Sequence, residues 1–242
     1  MPTARRHTGE EVEYVEVRDE PLHRRQFNNQ WVYAYVAGIK PGETSLWHRH
    51  SENTLYVCLT SVDALNRPLD KEEHVHHAKL GDVWWAEAKL SPYVHQVCIS
   101  AESARESHFF GMEVLQPPPV GSASPLDHRC YSLRPAETRP GRARVYSFAL
   151  APGESTGMHT WGFYGMVLSM REGSLAMEGA ADQDNPFAAT TGGSNGVDPS
   201  RFGGWKWVQG PVTFGVRNTG HNPYEAVVVE WVRDEDSTGA RL

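Results

Sequence analysis

The chain repeats itself at a distance of 111 residues, and this repeat constrains its fold more than any other feature. Segment 39–48 (IKPGETSLWH) aligns without gaps with segment 150–159 (LAPGESTGMH). Segment 91–97 also matches 210–216, and segment 109–114 matches 226–231. Several matches in the same order indicate two copies of one small domain.

Both copies carry the pattern of β-structure. Short runs rich in Val, Tyr, Trp and Phe alternate with turn residues, and no window of a dozen residues shows a clean helical repeat. We predict strands over residues 11–17, 31–39, 43–50, 55–59, 83–87, 94–99, 108–115, 144–150, 165–170, 174–178, 205–208, 212–218 and 225–232. Such spacing predicts all-β sandwiches or barrels.

Composition suggests where the domains divide. Residues 116–127 are rich in Pro, Gly and Ser, which is typical of a linker. We therefore predict one domain over 11–115 and a second over 128–234. Within the second, residues 179–204 are rich in Gly, Asn, Asp, Ser and Thr, which predicts a long loop, either a lid or a mobile surface segment.

Charge and cysteine usage exclude several classes of function. With 30 acidic and 23 basic residues, the chain lacks the basic field that binding to nucleic acid requires. No stretch resembles a membrane span or a signal peptide, so we expect a cytoplasmic protein without membrane contact. The three cysteines form no CxxC pair, which argues against a thiolate zinc site.

Histidine is the unusual residue, because eight of the twelve histidines fall in the first hundred positions. His48 and His50 are two apart on a predicted strand, so both side chains project from one face. His95 follows the Gly81 turn and Pro92 on a later strand that can lie beside the first. Three neutral imidazoles at one point suit Zn, Fe, Ni, Cu or Mn.

These residues resemble the motifs of the cupin family. Its first motif is Gly, five residues, His-x-His, three or four residues, Glu, six residues and Gly, and Gly42, His48 and His50 match its opening. Its second motif is matched by Gly81, Pro92 and His95. With the duplication, the chain resembles a bicupin, which implies two tandem jelly-roll-like barrels of the double-stranded β-helix type, a metal site at His48, His50 and His95, and a homodimer.

The departures from the motifs are as informative as the matches. The glutamate of the first motif falls at Thr54 or Leu55, neither of which replaces a carboxylate; Glu52 is a candidate ligand, although it comes too early. In the second half the three ligand positions hold His159, Trp161 and Phe214. We therefore predict a metal site in the first barrel and a metal-free second barrel.

Other side chains are ranked by strand position. The pocket candidates, besides Glu52, are Tyr56, Trp85 and Tyr93, and one indole of the pair Trp84 and Trp85 is expected to line the cavity. The cluster of His74, His76 and His77 is interpreted as an exposed hairpin, with a second metal site as the alternative. No role is predicted for the isolated histidines His7, His23, His108, His128 and His221.

Three classes of function remain open. Three-histidine cupins include thiol dioxygenases, diketone-cleaving dioxygenases and bicupin gentisate-type dioxygenases, so the leading hypothesis that the resemblance implies is an Fe(II) dioxygenase acting on a small organic molecule. A metal-dependent isomerase, epimerase or lyase would use the same ligands with Zn, Mn or Ni. A small-molecule-binding barrel without catalysis is the third alternative.

Overall fold

The computed structural model describes residues 1–179, 184–188 and 196–232. The chain divides into two compact units, Met1–Leu115 and Gln116–Leu242. Its regular structure is strand, with one short 3-10 helix at Val17–Asp19 and no α-helix in the described ranges. The prediction of an all-β fold is confirmed. A helix able to cross a membrane is not found in the part of the chain that the structure describes.

The first unit contains twelve strands in two five-stranded sheets and one small hairpin. The strands are β1 (Thr3–Arg5), β2 (Glu11–Glu13), β3 (Val15–Glu16), β4 (His23–Asn28), β5 (Val32–Ile39), β6 (His48–His50), β7 (Asn53–Cys58), β8 (Val62–Pro68), β9 (His74–Ala78), β10 (Val83–Glu87), β11 (Tyr93–Ile99) and β12 (Ser107–Val114). One sheet has the order β10-β7-β12-β5-β4 and the other β3-β6-β11-β8-β9, while β1 pairs with β2.

The predicted strands of this unit are found with three differences. β1, β4 and β8 were not predicted, and β9 was expected only as an exposed hairpin, because their sequences carry weak apolar patterns: β4 reads HRRQFN, and only its first and fifth residues are buried. The strand predicted over 43–50 is reduced to His48–His50, although Pro41 and Gly42 do form the expected turn, in which Gly42 has a φ of +79°. The strand predicted over 11–17 is interrupted, and its last residue begins the 3-10 helix.

The pairing of β6 with β11 positions the predicted ligands. These strands are antiparallel, with His48 opposite His95 and His50 opposite Tyr93. Directly opposed side chains share one face of a sheet. The register therefore places three predicted ligands on the inner face of the first unit.

The described residues of the second unit form nine strands, in a six-stranded sheet β13-β14-β21-β16-β19-β18 and a three-stranded sheet β15-β20-β17. These strands are β13 (Tyr131–Leu133), β14 (Ala143–Leu150), β15 (His159–Trp161), β16 (Tyr164–Arg171), β17 (Leu175–Glu178), β18 (Gly196–Val197), β19 (Trp205–Gln209), β20 (Val212–Asn218) and β21 (Tyr224–Trp231). Its core is largely aromatic and includes Phe148, Trp161, Phe214 and Tyr224.

The loop predicted over 179–204 lies partly outside the described residues, at 180–183 and 189–195. Its central part does not follow the expectation of a surface loop. Phe187 is fully buried and packs on Phe148, with ring centroids 4.6 Å apart. Asn185 donates a hydrogen bond to the backbone carbonyl of Gly215. This segment of the insert therefore belongs to the core of the second barrel.

Candidate metal centre

Four imidazoles meet inside the first barrel, one more than the sequence predicted. Ligand atoms of His23, His48 and His50 lie within 4.8 Å of one another. His95 joins this group, with its Nε2 atom 3.1 Å from Nε2 of His50 and its ring centroid 4.5 Å from that of His48. His48 and His50 are completely or almost completely buried. We call these four residues the histidine cluster.

The Nδ1 atom of each ring has a partner outside the cluster. His48 donates from Nδ1 to the carbonyl of Leu46 at 2.8 Å, and His23 donates to a carboxylate oxygen of Glu20 at 2.7 Å. Nδ1 of His95 lies 2.8 Å from Oδ1 of Asn66. A partner at Nδ1 fixes the orientation of the ring and leaves Nε2 as the free nitrogen.

His50 has a tyrosine as its outer partner. Its Nδ1 atom lies 3.3 Å from the hydroxyl of Tyr56, which in turn lies 2.8 Å from the hydroxyl of Tyr35. The ring of Tyr35 lies over its cross-strand partner Gly111, where an added Cβ would lie 2.5 Å from the ring. Gly111 therefore provides the space that lets this chain of hydroxyls reach His50.

Glu20 organises two of the four rings. Its carboxylate accepts hydrogen bonds from Nδ1 of His23 and from the backbone N–H groups of Leu22 and Leu46. The carbonyl of the same Leu46 accepts from His48. Burial alone would raise the pKa of Glu20, but the hydrogen bond and charge of His23 and the N–H of Leu46 lower it overall. Glu20 is therefore ionised and holds both rings at once.

The arrangement fits a bound divalent ion. Nε2 of His48 is buried and has no hydrogen-bond partner. Two nitrogens that each bind one ion at about 2.1 Å lie about 3.0 Å apart at a right angle and about 3.4 Å apart at a tetrahedral angle. The Nε2 separation of 3.1 Å between His50 and His95 falls in that range.

Burial keeps the imidazoles of His48, His50 and His95 neutral. It lowers the pKa of His48 to about 3, with a further contribution from His23. Burial, followed by the charges of neighbouring histidines, also lowers the pKa of His50 and of His95 well below the usual value. Neutral imidazole is the form that binds a metal, so protons compete weakly for these nitrogens near neutral pH.

A cavity of about 120 Å³ adjoins the histidine cluster. Its wall contains aromatic rings and small aliphatic side chains. The lining residues are His23, Ala37, Ile39, His50, Tyr56, Ala64, Asn66, His76, Trp84, Tyr93, His95, Val97 and Phe109.

Two of the predicted pocket residues line this cavity. Tyr56 bonds to His50 as described, and Tyr93 stacks on the ring of His50 with centroids 5.0 Å apart and an interplanar angle of 20°. Trp85 does not line it. Trp84 lies opposite Tyr56 on the neighbouring strand, and its side chain points into the cavity. Because successive side chains of a strand point to opposite faces of the sheet, Trp85 and its cross-strand partner Leu55 lie on the other face.

Glu52 lies away from the histidine cluster. Its carboxylate is 3.3 Å from Nζ of Lys89, and it lines a separate depression with Glu16 and Glu113. Thr54, at the motif's glutamate position, donates its hydroxyl to the carbonyl of Glu52. Among the residues that the structure describes, His23 therefore joins the three predicted ligands, and no carboxylate takes a ligand position beside them.

Two histidines given other interpretations line the cavity. No role was predicted for His23, because it lies 25 residues before His48 and outside any motif. His76 was assigned to an exposed hairpin. Its neighbours His74 and His77 are exposed, but His76 points inward. The missing motif glutamate was the one available signal that a further ligand must come from elsewhere.

The corresponding position of the second barrel is filled by side chains. Nε2 of His159 and the hydroxyl of Tyr131 form a hydrogen bond of 2.8 Å. The ring centroids of His159 and Phe214 lie 4.4 Å apart. Trp161 is fully buried and contacts Phe187, with centroids 6.1 Å apart. Aromatic rings occupy the space in which a second group of ligands would lie.

Comparison with known proteins identifies the fold. No family model and no curated protein matches the sequence. Among solved structures, AerE from Microcystis aeruginosa superposes with a TM-score of 0.55 at 12% identity, over 88% of this chain and 99% of that one. A cupin 2 conserved barrel domain protein from Leptotrichia buccalis gives 0.50 at 9% identity, over 86% of each chain.

A third similar structure is an enzyme. A variant of salicylate 1,2-dioxygenase from Pseudoaminobacter salicylatoxidans, in complex with gentisate, gives a TM-score of 0.53 at 11% identity, over 88% of this chain and 72% of that one. Because each similarity covers more than 85% of this chain, it extends over both units. The chain has the bicupin fold, as the motifs predicted.

Proposed function

We propose that this bicupin is a metal-dependent enzyme that acts on a small organic molecule, with Fe(II) as the favoured ion and dioxygenation as the favoured reaction. The observation that carries the proposal is the histidine cluster, in which Nε2 of His48 is buried without a partner. The proposed ligands are His48, His50 and His95, as the motifs imply, with His23 as a fourth.

The ligand set decides which chemistry is available. Four neutral nitrogen ligands do not compensate the charge of a divalent ion. A bound ion would therefore act as a Lewis acid toward an anionic group of the substrate, and Fe(II) would in addition bind dioxygen. Glu20 orients His23 and, through Leu46, His48. Asn66 orients His95.

The cavity supports a small substrate rather than a phosphorylated one. Its described lining contains no Lys or Arg that would neutralise a phosphate. Tyr93, stacked on His50, provides a flat wall beside the cluster. The structural likeness to a salicylate dioxygenase adds hydroxylated aromatic acids to the substrates worth testing.

The overall reaction is balanced without a reductant. One molecule of O₂ would be consumed for each molecule of substrate, and both oxygen atoms would enter the product. A diketone or a hydroxylated aromatic acid would lose a carbon–carbon bond, whereas the sulfur of a thiol would be oxidised to a sulfinate. Oxygen uptake without added reductant is therefore the expected signature of the turnover.

Elemental analysis of untagged protein tests the proposal, followed by oxygen uptake with thiols, diketones and hydroxylated aromatic acids. The His48→Ala/His95→Ala variant should lose the metal. The matched control is His77→Ala/His221→Ala, which removes two exposed histidines and should keep it. About one iron per chain, with oxygen uptake, supports the dioxygenase.

The other outcomes separate the alternatives. Zinc, manganese or nickel with oxygen-independent turnover favours an isomerase, epimerase or lyase. Equal metal content in both double variants, or none after anaerobic reconstitution, contradicts the proposed ligands and favours a non-catalytic binding protein. A cytoplasmic homodimer is also part of the proposal, and light scattering tests the dimer.

A further inference from the structure

The cavity of the first barrel has a second polar feature, away from the histidine cluster. His76 lines the cavity, and its Nε2 atom is buried without a hydrogen-bond partner. Its ring lies against the indole of Trp84, with centroids 4.9 Å apart and an interplanar angle of 52°. Buried polar atoms in folded proteins are almost always paired. An unpaired nitrogen in a cavity wall therefore marks a position for a hydrogen bond from a ligand.

Strand register separates His76 from the cluster. On β8, Pro68 lies opposite His95 and Ala64 lies opposite His76. Four residues of a strand span about 13 Å. This separation is between backbone positions, and the imidazoles of His76 and of the cluster project from them to the wall of one cavity. A molecule that fills the cavity would therefore contact the histidine cluster at one end and His76 at the other.

The walls between these ends are aromatic and uncharged. Trp84 stacks on Tyr56 with centroids 5.3 Å apart and an angle of 15°, and it meets Phe109 edge-on at 5.7 Å. No Lys, Arg, Asp or Glu is among the residues that line the described cavity. A dry cavity of about 150 Å³ is known to hold benzene. The volume of about 120 Å³ is somewhat smaller, so the cavity holds no more than a single ring.

We infer that His76 and Trp84 form a recognition subsite for the far end of a planar, single-ring substrate. The ring would bind at the histidine cluster through an anionic end and carry a hydroxyl or carbonyl group at the opposite end. The anionic end rests on the proposed function, whereas the subsite rests on His76 and the cavity alone.

The protonation state of His76 suits this role. Burial, followed by the charge of His74, lowers its pKa, so the ring is neutral at pH 7. A neutral imidazole offers one N–H donor and one acceptor nitrogen. Trp84 supplies the face against which the ring of the substrate lies.

Two probes that differ by one hydroxyl group test the inference. Salicylate and gentisate share the carboxylate and the adjacent hydroxyl, and gentisate adds a hydroxyl on the far side of the ring. Both are titrated anaerobically by calorimetry into the Fe(II)-loaded full chain. A single added hydrogen bond should make gentisate bind about 3- to 10-fold more tightly than salicylate.

Three variants locate the source of that preference. In His76→Phe the preference should fall to about 1, because the ring remains but both nitrogens are lost. His76→Gln should keep part of it. His77→Phe is the matched control, because His77 is the next residue along β9, is exposed and bonds to Asp63 at 2.8 Å. It should keep the full preference.

Each remaining outcome is decisive. An unchanged preference in His76→Phe overturns the subsite, and failure of both acids to bind overturns the single-ring substrate class. Repeating the titration without metal separates the two proposals. A preserved preference with both affinities lowered in metal-free protein supports the subsite and the metal-bound end, whereas unchanged affinities support the subsite and contradict the metal-bound end.

Discussion

The carboxylate of Glu20 should determine how tightly the first barrel binds a metal. Glu20 accepts three hydrogen bonds, from Nδ1 of His23 at 2.7 Å and from the N–H groups of Leu22 at 2.8 Å and Leu46 at 3.1 Å. In Glu20→Gln one of the two oxygens becomes an NH₂ group, which cannot accept. In one orientation of the amide its NH₂ group faces the Nδ1–H of His23, and in the other it faces the backbone N–H of Leu46. Either way, two hydrogen-bond donors face each other.

The size of the effect follows from those contacts. Loss of an outer partner of a metal-binding histidine typically reduces metal affinity about 10- to 100-fold. Glu20 supports His23 directly and His48 through Leu46, so we expect the upper half of that range, about 30- to 100-fold. A buried donor left without an acceptor also costs about 1–3 kcal/mol of folding free energy.

Competition with a chromophoric chelator measures the affinity, and thermal melting of the metal-free protein checks the fold. Glu16→Gln is the matched control, because Glu16 lies four residues earlier and pairs with Arg49 on the outer face. Its affinity should stay within about 2-fold of wild type, since exposed ion pairs contribute little. Equal affinities of Glu20→Gln and wild type, or equal losses in both variants, would refute the reasoning.

Two further predictions concern the second barrel. Phe187→Ala should lower the unfolding free energy of this unit by about 3–5 kcal/mol in urea, because the ring is fully buried. Phe202→Ala, at a position that is 48% exposed, should change that free energy by less than about 0.5 kcal/mol. Similar effects of the two variants would mean that the insert does not fill the core. Burial lowers the pKa of His159 to about 4, below the value of about 6.5 in the unfolded chain. As the pH decreases, the unfolded chain therefore binds a proton at this residue before the folded protein does. The stability of the fold should fall as the pH decreases from about 6.5 to 4. The loss of stability over that window should be smaller in His159→Gln, and identical pH profiles of the two proteins would contradict the assignment.

The sequence was sufficient for the fold because its strong signals are local. Alternating apolar residues marked most strands, and the two-residue spacing of His48 and His50 placed both on one face. The strands that escaped prediction are polar, as in β4, where Arg24 and Arg25 face solvent. The place of β4 in a sheet depends on pairing with β5, and that pairing is not encoded in the pattern of β4 itself.

The complete site could not be predicted, because part of it comes from long-range packing. His23 reaches the cluster only because β4 adds to the edge of one sheet, and its bond to Glu20 spans three residues with no motif to announce it. Which of Trp84 and Trp85 faces the cavity depends on the register that pairs Trp84 with Tyr56, and the sequence of the strand does not contain that register. A shift of one residue exchanges the two faces of a strand.

The number of imidazoles that bind the ion tests the central claim most directly. X-ray absorption spectroscopy of the metal-loaded chain counts them from the scattering of the outer ring atoms. We expect four imidazole nitrogens at about 2.0–2.2 Å in wild type and three in His23→Ala. A spectrum dominated by oxygen scatterers, or the same count in His23→Ala as in wild type, would contradict a centre built from His23, His48, His50 and His95.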